Sequence, residues 1–177
     1  MIRFVQRYDD ATGYRTRQYG SSRRWLTKAL REVARSIGRS VEEVRPREMR
    51  RRTDADEWSV VELLGFLRDS EREDLESVRA VLRRDGAHIE ERRAYLGPVE
   101  HDYREERGDD LLWDFLSLRE ETVWLLRESD YGWEHVGEHP YRGLVPLGRL
   151  VHEMNERDLD VMWRIEKVRD ALGRRGR

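Results

Sequence analysis

The chain has 177 residues, of which 41% are charged and 37% hydrophobic, with a formal net charge of −2. That length suits a single folded core, and six Trp, seven Tyr and three Phe supply more packing material than a disordered chain carries. The absence of Cys excludes disulfides, Cys-ligated zinc, iron–sulfur clusters and thiol nucleophiles. No apolar run reaches membrane-spanning or signal-peptide length, so a cytoplasmic location is expected.

Residues 1–57 carry 15 basic and 9 acidic side chains, a net +6, and the remainder carry −8. Residues 1–21, with Tyr8, Tyr14 and Tyr19 scattered among Arg, Asp and Gly, show no sustained period and are expected to form an arm preceding a bundle at 22–177. Ser21-Ser22 offers a helix start, and Trp25, Leu26, Leu30, Val33 and Ile37 recur at helical steps until Gly38. A second, short helix start is expected at Ser40, interrupted at Pro46. Ser59 with Glu62 three residues on has the capping-box pattern, and it opens a helix through Val61, Leu64, Leu67, Leu75, Val78 and Leu82 to about Arg84.

Residues 85–108 are too long for a tight turn and predict a crossover. A third helix is expected from about Asp109 to Ser129, with Leu111, Phe115, Leu118, Thr122 and Leu125 on one face. A breaker-rich turn (131–143) follows, and Pro146 suits the first turn of a fourth helix with the stripe Leu147, Leu150, Val151, Met154, Val161, Ile165, Val168 and Leu172, stopping at Gly173. No alternating segment predicts a strand. The expected class is all-α, a four-helix bundle with long crossover connections.

Three charges interrupt the apolar stripes. Glu71 falls between Leu67 and Leu75, Arg119 among Phe115, Leu118 and Thr122, and Asp158 between Met154 and Val161. Each lies near the middle of its helix, so the three share a height whichever way the helices run. An unpaired buried charge is costly, whereas one forked guanidinium can satisfy two carboxylates. A mid-bundle layer with Arg119 bridging Glu71 and Asp158 is therefore expected, serving register more than catalysis.

The segments WSVVELLGFLRDSE (58–71), LSLREETVWLLR (116–127), the turn 133–143 with Gly137, His139, Pro140 and Gly143, and HEMNERDLDVMWRI (152–165) resemble the DinB-like family, also called the YfiT-like metal-dependent hydrolases. The resemblance covers about residues 22–173 and implies a four-helix bundle, homodimerisation and nickel or zinc held by three His. One ligand belongs to a stretch like His-Leu-x-Asp-Ser-Glu and two, four residues apart, to a stretch like His-Asp-x-x-His. In this chain those positions are Phe66, Arg157 and Val161. Phenyl and isopropyl groups cannot ligate, and a guanidinium brings positive charge where a cation would sit, so no metal or other cofactor is expected. What the resemblance then implies is a binding or structural module, with a small pocket for an unidentified small molecule lined by Phe66, Arg157, Val161 and Trp163. The alternative it allows is a metal-dependent hydrolase, or an S-transferase using a low-molecular-weight thiol, with ligands rearranged around His152 or His139.

The remaining candidates read as ordinary surface. His152, Glu156 and Asp160 share a spacing of four, but they lie off the apolar stripe. His135 and His139 flank Gly137 in an aromatic turn, and His88 and His101 have no ligand spacing to each other. Arg45, Arg47, Arg50, Arg51 and Arg52 form the one candidate for nucleic acid; without interleaved aromatics and with acids on both sides, they are expected to be a solvated or docked linker.

Overall fold

A computed structural model describes residues 23–129 and 131–174; the expected arm at 1–21 lies outside them. Four long helices, α1 (Arg23–Glu42), α2 (Val60–Arg83), α3 (Gly108–Glu128) and α4 (Leu147–Arg174), dominate the chain. Helix α1 packs against α4 and α3, and α2 packs against the same two, so the cross-section runs α1, α3, α2, α4 around the core. The all-α bundle expected from the stripes is the fold observed.

Ser59 caps α2 as its pattern requires. Its Oγ accepts from the Glu62 backbone N–H at 3.4 Å, and Glu62 Oε2 accepts from the Ser59 N–H at 2.8 Å. Every residue of the α4 stripe is buried, as are Leu64, Leu67, Leu75 and Val78 on α2. On α3 the buried face is Leu111, Phe115, Arg119, Thr122, Val123 and Leu126, while Leu118 and Leu125 flank it half-buried. Trp25, expected on the α1 stripe, is exposed at its edge.

Three local expectations are corrected. Helix α1 runs through Gly38 to Glu42, absorbing the separate start expected at Ser40; Gly38 is buried against Leu116, so its missing side chain serves close packing instead of ending the helix. The start of the crossover and the breaker-rich turn join in a small sheet, with β1 (Ala87–His88) parallel to β2 (Val136–His139), and β2 antiparallel to β3 (Gly143–Pro146). Gly143 takes φ +68, which opens β3 at the end of the hairpin turn. Strands this short leave no alternation to detect, and Pro146 ends β3 instead of entering α4. Helix α4 also continues past Gly173 to Arg174.

The crossover (85–108) is pinned by Tyr103. Its ring is fully buried, its hydroxyl donates to Asp69 Oδ2 at 2.5 Å, and its face lies where a Gly65 side chain would stand. Gly65→Ala is therefore expected to lower stability by about 1–3 kcal/mol through overpacking. Gly148→Ala, where an added methyl meets nothing within 4 Å, should be neutral or stabilising by up to about 1 kcal/mol. Denaturant melts of the two variants check the contrast.

Candidate functional site: an ionic layer between two apolar cores

The buried apolar residues fall into two clusters. One is built around Ile37, Leu64, Leu67, Phe115, Val161 and Ile165, the other around Leu30, Val78, Val123, Val151 and Met154. Between them, on three helices, lie Glu71, Arg119, Thr122 and Asp158, all buried.

Arg119 donates through Nε to Glu71 Oε1 at 3.0 Å and through Nη2 to Glu71 Oε2 at 2.5 Å. Its Nη1 donates to the Leu30 carbonyl at 3.1 Å and forms an ion pair with Asp158 Oδ2 at 2.6 Å. Thr122 Oγ1 adds a third donor to the Glu71 carboxylate, meeting Oε1 at 2.6 Å. The structure thus brings together the three charges that interrupt the stripes.

It adds residues that the stripes do not reveal. Arg157 donates to Asp158 Oδ1 through Nε (3.1 Å) and Nη2 (2.8 Å), reaches Glu71 Oε2 at 3.5 Å, and makes a short bond to Asp74 Oδ2. Asp74 is itself buried and pairs through Oδ1 with Arg92 of the crossover at 2.7 Å. Three guanidinium groups (Arg92, Arg119, Arg157) therefore face three carboxylates (Glu71, Asp74, Asp158), and the layer balances in charge. Beyond Arg92 the chain of charges reaches Glu153, which accepts from Arg142 at 2.7 Å and Arg149 at 2.5 Å near the surface.

The electrostatics follow from burial and charge. Burial pushes the Asp158 carboxyl up, but the Arg119 and Arg157 charges outweigh it and hold the group below the ordinary range. At Asp74 burial prevails: its carboxyl is raised, with Arg157 and Arg92 opposing and Glu71 adding to the rise. Burial alone would weaken protonation of Arg119 and Arg157, yet the surrounding carboxylates raise both above the usual arginine value. Asp158 is therefore held in its ionised form by its two arginines, whereas burial makes Asp74 easier to protonate than an ordinary aspartate.

Phe66 packs half-buried against the apolar cluster that contains Val161, with its ring centroid 5.5 Å from that of Trp58. Trp163 stands apart. Two residues on from Val161 the helix has turned by about 200°, and Trp163 is 56% exposed beneath Lys167 Nζ at 3.7 Å. Two concavities lie between α1 and α3, and none of Phe66, Arg157, Val161 and Trp163 lines either. The Arg157 side chain is 12% exposed and is held between α2 and α4 by its pairs with Asp74 and Asp158.

The fallback ligands are dispersed. His152 lies 3.4 Å from Glu156, and His139 Nδ1 accepts from the Tyr141 N–H at 3.2 Å, its protonation weakened by burial and by Arg142. Among the described residues no group of three or more His, Asp or Glu converges to hold a metal ion. In the basic stretch, Arg50 donates to the carbonyls of Arg104 (2.6 Å) and Glu106 (2.9 Å), and Arg52 pairs with Glu62. Arg50 thus docks the linker on the crossover and Arg52 docks it on the first turn of α2, while Arg45, Arg47 and Arg51 are exposed.

No protein-family model matches the chain, and no curated protein matches it in sequence. Among solved structures, YfiT from Bacillus subtilis, described as a probable metal-dependent hydrolase with an unusual four-helix bundle topology, superposes with a TM-score of 0.74 over 85% of this chain and 87% of its own. The chain has the YfiT-like fold. At 16% identity the likeness is one of architecture. On the YfiT-like scaffold the three positions that the sequence resemblance assigns to metal ligands offer a phenyl ring, a guanidinium and an isopropyl group. None has a lone pair to give, and these residues do not fit a divalent cation.

Replacing Arg119 by Met leaves Glu71 and Asp158 without their shared partner in a dry core. A loss of about 3–5 kcal/mol is expected, and an unchanged melting temperature would contradict the assignment.

Proposed function

We propose that this YfiT-like chain is a metal-free binding or structural module, in which an arginine-carboxylate layer stands where a metal-dependent relative would carry its ion. The observation that carries the proposal is Arg157. It occupies one of the ligand positions implied by the resemblance, and its guanidinium sits among Glu71, Asp74 and Asp158. A fixed monovalent cation with five N–H donors can hold carboxylates from two helices together, but it cannot polarise a substrate carbonyl or activate a water as a Lewis acid does. Further support comes from the dispersal of the His side chains and from the pairing of each buried carboxylate with an arginine.

Two further expectations belong to the same proposal. The protein is cytoplasmic; among the described residues no helix is long and apolar enough to cross a membrane. It is also a homodimer, a reading supported by exposed Trp113 and Trp124, which lie eleven residues apart and hence on one stripe of α3.

Elemental analysis of protein purified without a metal-affinity tag tests the central point. Nickel and zinc are expected well below one equivalent per chain, in a species sedimenting as a dimer. Stoichiometric nickel or zinc, lost on His152→Ala, would overturn the proposal in favour of a rearranged metal site.

A further inference from the structure

Among the described residues most arginines have a carboxylate partner. Arg164 grips Asp56 through two bonds, Arg68 grips Glu106, and Arg79 spans Glu76 and Glu121. The groove between the start of α1 and the end of α3 departs from that pattern. It encloses about 370 Å³ and is lined by Arg23, Arg24, Thr27, Lys28, Arg31, Leu126 and Arg127. None of its described lining residues is acidic. Among the described residues Arg24, Lys28, Arg31 and Arg127 have no ion-pair partner, and Arg31 Nε is shut off from solvent with no hydrogen-bond acceptor.

The neighbouring concavity makes a useful contrast. It shares Arg31 and adds Arg35, Arg39 and Arg119, but Glu42 and Glu120 also line it and offset part of its positive charge. Of the two, the first groove gathers positive charge with no carboxylate among its described lining residues, in a concave space where field lines concentrate and anions accumulate.

We propose that the groove is a binding site for a small, multiply charged phosphate anion. Three considerations select that class. Four unpaired cations in so small a volume call for several negative charges at short spacing, which phosphate chains provide and single carboxylates do not. Guanidinium groups pair bidentately with phosphate oxygens, and an anion here would give the buried Arg31 Nε the acceptor it lacks. Leu126 and the arginine stems form a low-dielectric wall that strengthens such pairs. The site is separate from the ionic layer and does not depend on whether the bundle carries a metal.

The test is calorimetric titration of the full chain with inorganic tripolyphosphate at about 150 mM salt, where diffuse attraction is largely screened. Saturable one-to-one binding is expected. The variant Arg24→Gln/Lys28→Gln/Arg127→Gln should bind about tenfold more weakly or worse, since charge-assisted hydrogen bonds of that strength are removed. A control with the same charge change elsewhere, Arg45→Gln/Arg47→Gln/Arg51→Gln, should keep its affinity within about twofold. All six positions are exposed, and circular dichroism checks that both variants fold. Absence of saturable binding overturns the proposal, as does an equal loss in the two variants. Tighter binding of a single-stranded oligonucleotide than of tripolyphosphate would also overturn it, because the groove would then be part of an extended nucleic-acid surface.

Discussion

The structure depends on one constraint: no charge in the middle of the bundle can be left without a partner. Arg119 meets that constraint for Glu71 and Asp158 at once and ties α3 to α2 and α4, while its remaining donor fixes the Leu30 carbonyl of α1. All four helices are thereby set in height by one side chain. The two apolar clusters above and below could slide past one another at small cost if they were continuous. A directional ionic layer between them permits only one register. Well-packed apolar residues could replace such a layer with little loss of stability, so what it contributes is specificity of arrangement.

Arg157 extends the same logic to the second carboxylate of α2. Asp74 is buried beside Glu71, and two acids so close cannot both stay ionised without cationic neighbours. Arg157 and Arg92 supply them, one from α4 and one from the crossover. Arg92 on Asp74 and Tyr103 on Asp69 thus both tie the crossover to α2. In the proposed reading, a guanidinium does for this bundle the organising work that an ion does for a metal-dependent relative, and the chemistry of a Lewis acid goes with the ion.

Much of this was legible in the residues. The heptad-like stripes give four helices, the Ser59–Glu62 pair gives the start of α2, and Glu71, Arg119 and Asp158 are visible because each breaks an otherwise apolar stripe. Asp74 carried a signal too, three residues from Glu71 and therefore on the same face, but charged residues are so common in this chain that one more at a stripe's edge does not stand out. Arg92 had none. It comes from an irregular segment whose path is set by tertiary contacts. The small sheet was invisible for a similar reason: β1 is two residues long, and β2 and β3 are interrupted by Gly, His and Pro. Trp163 follows Val161 by two residues, and helical rotation puts it on the opposite side of α4, exposed while Val161 is buried.

The claim that Arg157 is the clamp on the buried carboxylates rests on its coupling to them, which a double-mutant cycle measures most directly. Denaturant melts of wild type, Arg157→Met, Asp74→Asn and the double variant give the interaction free energy between the two side chains. The account predicts a favourable coupling of about 1.5 kcal/mol or more, as expected for a close, desolvated charge pair. Additive effects, with a coupling near zero, would contradict it.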